Sequence, residues 1–140
     1  MNGHVSRWPG LYLVGVGLLL LLQGATGLLL RATGRDPHAT TRLLSDPLHS
    51  TIHVVWGVVM LVVLVGGNRR AQRTTLLTFG LFYLAFLVIG LVVHHPLGMQ
   101  IDGKENAFHA VIAPLALAVW ALDRRLRGGR ATALDLEGAS

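Results

Sequence analysis

The chain contains no cysteine, so disulfide cross-links, thiolate metal sites and cysteine nucleophiles are all excluded. Charge is scarce, 14% of residues against 52% hydrophobic, and the mean hydropathy is +0.56. An ordinary soluble domain carries about 25% charged residues, so this composition describes a protein solvated by lipid. Aromatic residues make up only 6% and are not interleaved with the arginines. The formal net charge of +5 therefore does not describe a nucleic-acid-binding surface, which alternates stacking rings with cations. Lys104 is the only lysine, and the arginines fall in short clusters at the ends of apolar runs, where positive charge fixes topology or meets anionic headgroups. No nucleophile elbow, phosphate-binding glycine loop or pair of acid/base carboxylates occurs, so no motif assigns an enzymatic reaction.

What the chain does have is a repeat. Asp46-Pro47-Leu48-His49-Ser50-Thr51-Ile52-His53 returns, altered, as Asp102-Gly103-Lys104-Glu105-Asn106-Ala107-Phe108-His109. The fixed offset pairs Asp46 with Asp102, His49 with Glu105, Ser50 with Asn106 and His53 with His109, and each copy runs on into an apolar segment of helix length. Two related helical hairpins are expected.

Four spans follow. Leu11 to Leu30 is uncharged over 20 residues, enough to cross a hydrocarbon core of about 30 Å. A secretory signal is the competing reading of this segment. Leu28-Leu29-Leu30 resumes the apolar run where a signal would turn polar, and Trp8 is an interfacial anchor, so the segment is read as a retained helix. Arg31 to Ser45 is the longest polar connection. Asp46 is the expected N-cap and Pro47 the first residue of the second helix, which ends near Val65 before Gly66-Gly67-Asn68. The third helix is expected to open at Thr74 or Thr75 and run through Phe79, Phe82, Tyr83 and Phe86 to Val93. His94-His95-Pro96 breaks it. Asp102 followed by Glu105 has capping-box spacing and opens the fourth helix, which is expected to end near Leu122 with Pro114 inside it. The fold expectation is all-α: a four-transmembrane-helix bundle over residues 1–123, followed by a basic, then small and acidic tail over 124–140, expected to be disordered.

Eight positive residues lie at the N-terminus, in the second loop and in the C-terminal tail, against four in the first and third loops. The positive-inside rule then places both termini in the cytoplasm, in a multi-pass protein of the cytoplasmic membrane. Gly15, Gly17, Gly24, Gly27, Gly57, Gly80 and Gly90 allow close helix approach, but no G-x-x-x-G pair lies within a span.

His49 and His53 are four apart and share one helix face, as do Glu105 and His109. If the second and fourth helices pack together, the four side chains converge just below the outer surface. Three imidazoles and a carboxylate suit a divalent transition metal such as zinc, iron or copper. A bis-histidine haem, with His53 facing His109, is the other cofactor option. The competing reading is structural: polar residues in the outer turns of membrane helices cap the helix, bond to a neighbour and fix register. The sequence favours that reading, a small structural, accessory or scaffold component, and keeps the metal- or haem-binding protein as its alternative. The expected partners are the lipid bilayer and other membrane proteins or a second copy of the chain. His38, His94 and His95, in or beside loops, are weaker ligand candidates.

The segments Asp46-Pro47-Leu48-His49 through Gly57 and Glu105-Asn106-Ala107-Phe108-His109 resemble a family of small four-helix actinobacterial membrane proteins catalogued as a domain of unknown function. Its pattern is an N-P-x-H helix start with a second histidine four residues on and a glycine beyond, then D-N-x-x-H at the last helix. His49, His53, Gly57, Asn106 and His109 match. Asp46 stands where the family has asparagine, Glu105 where it has aspartate, and Ala113-Pro114 where a glycine is usual. The resemblance covers all four spans and implies a membrane architecture without an assigned activity.

Overall fold

The computed structural model describes residues 7–36, 46–93, 99 and 103–137, with side chains of the last segment described to residue 129. Within these residues the chain forms four helices: α1 (Trp8–Ala32), α2 (Pro47–Gly66), α3 (Arg69–Val92) and α4 (Gly103–Glu137). Each is long and apolar enough to cross a membrane. No strand occurs among the described residues.

Local signals explain most helix boundaries. Asp46 is the N-cap of α2: its carboxylate accepts from the His49 backbone N–H at 2.8 Å, and Pro47 follows in the first turn. This satisfies one of the free donors at a helix start. α3 begins five residues before Thr74, at Arg69, a correction to the sequence reading. Asn68, which the sequence offers as part of the stop for α2, caps α3 instead by accepting from the Ala71 N–H at 2.9 Å. Arginine and glutamine are good helix formers, so the basic cluster extends the helix once the cap is in place. α4 likewise continues beyond Leu122, the expected end, through Asp123 and on as helix to Glu137. His38, His94, His95 and the expected cap Asp102 lie outside the described residues.

α1 packs most extensively on α2 and α3 on α4, so the bundle consists of two hairpins with fewer contacts between them. Glycine makes the first hairpin tight. A Cβ on Gly57 would stand 2.7 Å from the Leu21 nitrogen and 2.8 Å from the Gly17 carbonyl oxygen, and one on Gly24 would collide with the Ser50 carbonyl. The backbones meet directly, as small residues allow in membrane helix pairs. In the centre, Leu13, Leu20, Met60, Leu76, Phe79 and Tyr83 are fully buried. The Tyr12 hydroxyl donates to the Ile112 carbonyl at 2.7 Å and ties α1 to α4 two residues before Pro114.

Only 28–33% of each apolar span is buried inside the protein. Leu22, Leu29, Val62, Leu91 and Val111, among others, point outward. In water this belt would be an aggregation surface. It is the face a bilayer solvates, and the chain is a multi-pass membrane protein.

Candidate metal centre

The cap on α2 sets the phase of that helix. With His49 N–H held by Asp46, and the Ser50 hydroxyl bonded back to the Asp46 carbonyl at 3.0 Å, the inward face carries His49, Ser50, His53, Gly57 and Met60. On α4 the buried face carries Glu105, His109, Ile112, Ala113 and Ala116. Both sets follow the three- and four-residue spacing of a helix stripe. The two stripes face each other, the arrangement that the sequence analysis made conditional on the second and fourth helices packing together.

The result is a compact imidazole cluster. His49, His53 and His109 are 1%, 2% and 0% exposed, and one nitrogen from each lies within 4.8 Å of the others. Ring centres are separated by 4.5 Å for His49 and His53, 5.5 Å for His49 and His109, and 6.4 Å for His53 and His109. The point equidistant from three such centres lies about 3.3 Å from each. A zinc–imidazole bond of about 2.0–2.1 Å plus roughly 1.1 Å from nitrogen to ring centre gives nearly the same distance.

Among the described residues, both nitrogens of all three rings are buried without a hydrogen-bond partner. His49 Nδ1 stands 3.3 Å from Glu105 Oε2, close enough for an ion pair but poorly angled for a hydrogen bond. Glu105 thus lies beside the imidazole cluster, against Nδ1 of His49.

α3 adds a residue that the sequence analysis names only as one of the aromatics along the third helix. The Tyr83 ring is 4.9 Å from His109 and 6.1 Å from His53, and its hydroxyl is buried with no hydrogen-bond partner. Only its position hinted at this: it is the one hydroxyl among Phe79, Phe82 and Phe86. Phe86 and Phe108 complete an aromatic wall around the cluster, at 6.3 Å from His109 and 6.0 Å from His53.

Three imidazoles form a donor set suited to zinc, copper, iron or nickel, and a three-histidine site leaves a fourth position for a small ligand. Ionisable groups buried between membrane-spanning helices are functional-site candidates by default.

The sequence matches the family described as Domain of unknown function (DUF4383) over residues 10–122. The chain belongs to this family. The matched region holds His49, His53, Tyr83, Glu105 and His109, so the whole cluster lies within the DUF4383 domain, while the last part of α4 lies beyond it. Neither the curated proteins nor the solved structures give a match.

Proposed function

We propose that this DUF4383 protein is a metal-binding membrane protein whose bundle holds a transition-metal ion between α2 and α4. His49, His53 and His109 serve as ligands, and Glu105 orients His49. The observation that carries this reading is the convergence of three fully buried imidazoles with every nitrogen lacking a hydrogen bond. An unmade buried hydrogen bond costs about 1–3 kcal/mol. Six of them approach the 5–15 kcal/mol that is the whole stability of a typical domain. A cation that takes one lone pair from each ring removes half of that burden, and a small rotation of the Glu105 carboxylate, 3.3 Å from His49 Nδ1, would let it accept from Nδ1–H and leave Nε2 for the metal. Carboxylate–histidine–metal relays have this form.

A bis-histidine haem fits less well. A porphyrin between His53 and His109 would need the space beside both rings, and His49 stands 4.5 and 5.5 Å from them. The structural or scaffold reading is favoured by one observation, the edge-to-face packing of His49 on His53 at 78°, in which imidazoles act as packing aromatics. That packing leaves the ring nitrogens unsatisfied, so we rank it second.

Elemental analysis and a visible spectrum of protein purified in detergent test the reading, followed by cobalt(II) loading. One equivalent of metal and cobalt d–d bands are expected. A Soret band would replace the metal with haem, and metal-free protein that takes up no cobalt would leave the scaffold role. The reading includes the cytoplasmic membrane as location, with both termini inside and the metal site near the outer surface. Single cysteines at Arg35 and Gly129 in this cysteine-free chain test the sidedness: an impermeant thiol reagent should label only the first from outside. Assembly with a second copy or another membrane protein fits the narrow bundle as well.

A further inference from the structure

At the end of the bundle away from the histidines, the first turns of α3 and the late part of α4 enclose a cleft of about 340 Å³ lined by Arg70, Arg73, Thr74, Leu77, Trp120 and Arg124. This is within the roughly 300–1,000 Å³ range of small-molecule sites. We infer that this cleft binds the phosphate of an anionic phospholipid, with an acyl chain laid along α3.

Charge is the first argument. Among the described residues, the acidic group beside the cleft is Asp123, and it is engaged by Arg73 and Arg127 at 3.4 Å each. Arg70 and Arg124 form no ion pair among the described residues, so two cations remain for an anion. The Arg124 guanidinium is already set in place over the Trp120 ring, 5.0 Å from its centre, as a cation–π contact holds it. Arg70 lies in the first turn of α3, where the helix dipole adds to its positive field.

Shape and depth are the second argument. Arg70, Arg73, Thr74 and Leu77 follow helical spacing down one face of α3, and that face continues to Leu81, 52% exposed among the lipid-facing residues. A ligand with its anion at Arg70 and Arg124 therefore has an apolar track beneath it. Free phosphate would use the arginines but not the track. Basic pockets between membrane helices at the polar boundary recognise lipid headgroups in this manner.

The test is native mass spectrometry of the full-length protein in neutral detergent, titrated with phosphatidylglycerol or phosphatidylcholine. Phosphatidylglycerol is expected to bind at least tenfold more tightly than phosphatidylcholine. The double variant Arg70→Gln/Arg124→Gln should lose that preference. Arg125→Gln, which removes one positive charge next to Arg124 but outside the cleft lining, should keep it. Equal binding of the two lipids by the native chain would overturn the proposal, as would an equal loss in Arg125→Gln, which would point to diffuse surface charge. Displacement of phosphatidylglycerol by equimolar inorganic phosphate would also overturn it, by removing the role of the acyl track. Arg73 is left intact because it holds Asp123, and an unchanged melting temperature in the double variant shows that the fold has survived.

Discussion

His49 on α2 and Glu105 on α4 meet across the bundle at 3.3 Å, Nδ1 to Oε2, with both side chains almost fully buried. The repeat places these two residues at equivalent positions, so the two halves of the chain supply the two partners of one contact. If Glu105 orients His49 without binding the metal, Glu105→Gln should weaken metal affinity by about 10–100-fold, the usual cost of losing such a partner. It should still bind one equivalent at saturating metal. His109→Ala should lose stoichiometric binding. A competition titration with a chromophoric chelator separates the two results, and loss of stoichiometry in Glu105→Gln would make the carboxylate a ligand.

Metal loading and metal-free stability should respond in opposite directions to the same substitution. In loaded protein, His53→Leu or His109→Leu removes a ligand, and the linkage stabilisation goes with it. That amounts to about 3 kcal/mol for a site held at a hundred times its dissociation constant. In chelator-treated protein the same changes replace an unpaired buried imidazole with an apolar side chain of similar size and should be neutral or stabilising. Melting curves of both forms in detergent check this. Losses of equal size with and without chelator would contradict a metal role.

Protons compete with metal ions for imidazole nitrogens, because only the neutral ring can ligate. Metal affinity should therefore fall steadily as the pH is lowered, with protons taken up as the ion leaves. The measurement is a cobalt titration repeated at several pH values. A flat profile would mean that the bound ion is not held by histidine.

Much of the site was legible because helical spacing is a strict rule. Asp46-Pro47 fixed where α2 begins, and the four-residue steps from His49 to His53 and from Glu105 to His109 placed each pair on one face. What the spacing left open was which helices meet and at what height. Tyr83 was therefore read with its phenylalanine neighbours, since a hydroxyl on an aromatic face looks like core until the opposing helix is known. Asn68 follows two glycines and reads as a stop, yet its side chain opens the next helix. Asp123 follows Leu122, the expected end of the fourth helix, and borders the expected tail, but Arg73 reaches it from the neighbouring helix. The misses at Tyr83 and Asp123 depended on partners distant in sequence, whereas the one at Asn68 was a local choice between ending one helix and capping the next.

The contact between α1 and α2 yields a sharp contrast between glycines. Gly24→Ala would force a Cβ against the Ser50 carbonyl and, at 2.8 Å, against the Val54 backbone nitrogen, whereas a Cβ on Gly15 meets nothing within 4 Å. Gly24→Ala should separate the helices and cost about 1–3 kcal/mol, as overpacking does. Gly15→Ala should be neutral, or stabilising by up to about 1 kcal/mol through helix propensity. Thermal or detergent-induced unfolding of the two variants reads the difference. Separating these helices also displaces Ser50, next to His49, so Gly24→Ala should lower metal affinity while Gly15→Ala leaves it unchanged.

Asp123 is 1% exposed, whereas its partners Arg73 and Arg127 are 28% and 42% exposed in their side chains. That asymmetry decides which substitution is worse. In Asp123→Asn the arginines lose their carboxylate but can turn toward water, so the cost should be small, about 1 kcal/mol. In Arg73→Ala/Arg127→Ala the carboxylate stays buried without a counter-charge, and breaking a buried pair from that side costs about 3–5 kcal/mol. The double arginine variant should therefore melt well below Asp123→Asn. Adding Asp123→Asn to it should recover most of the loss, because the stranded charge is then gone. Failure of that rescue, read in a melting series of the three variants, would show that the arginines stabilise α3 and α4 through packing of their side-chain stems and not through Asp123.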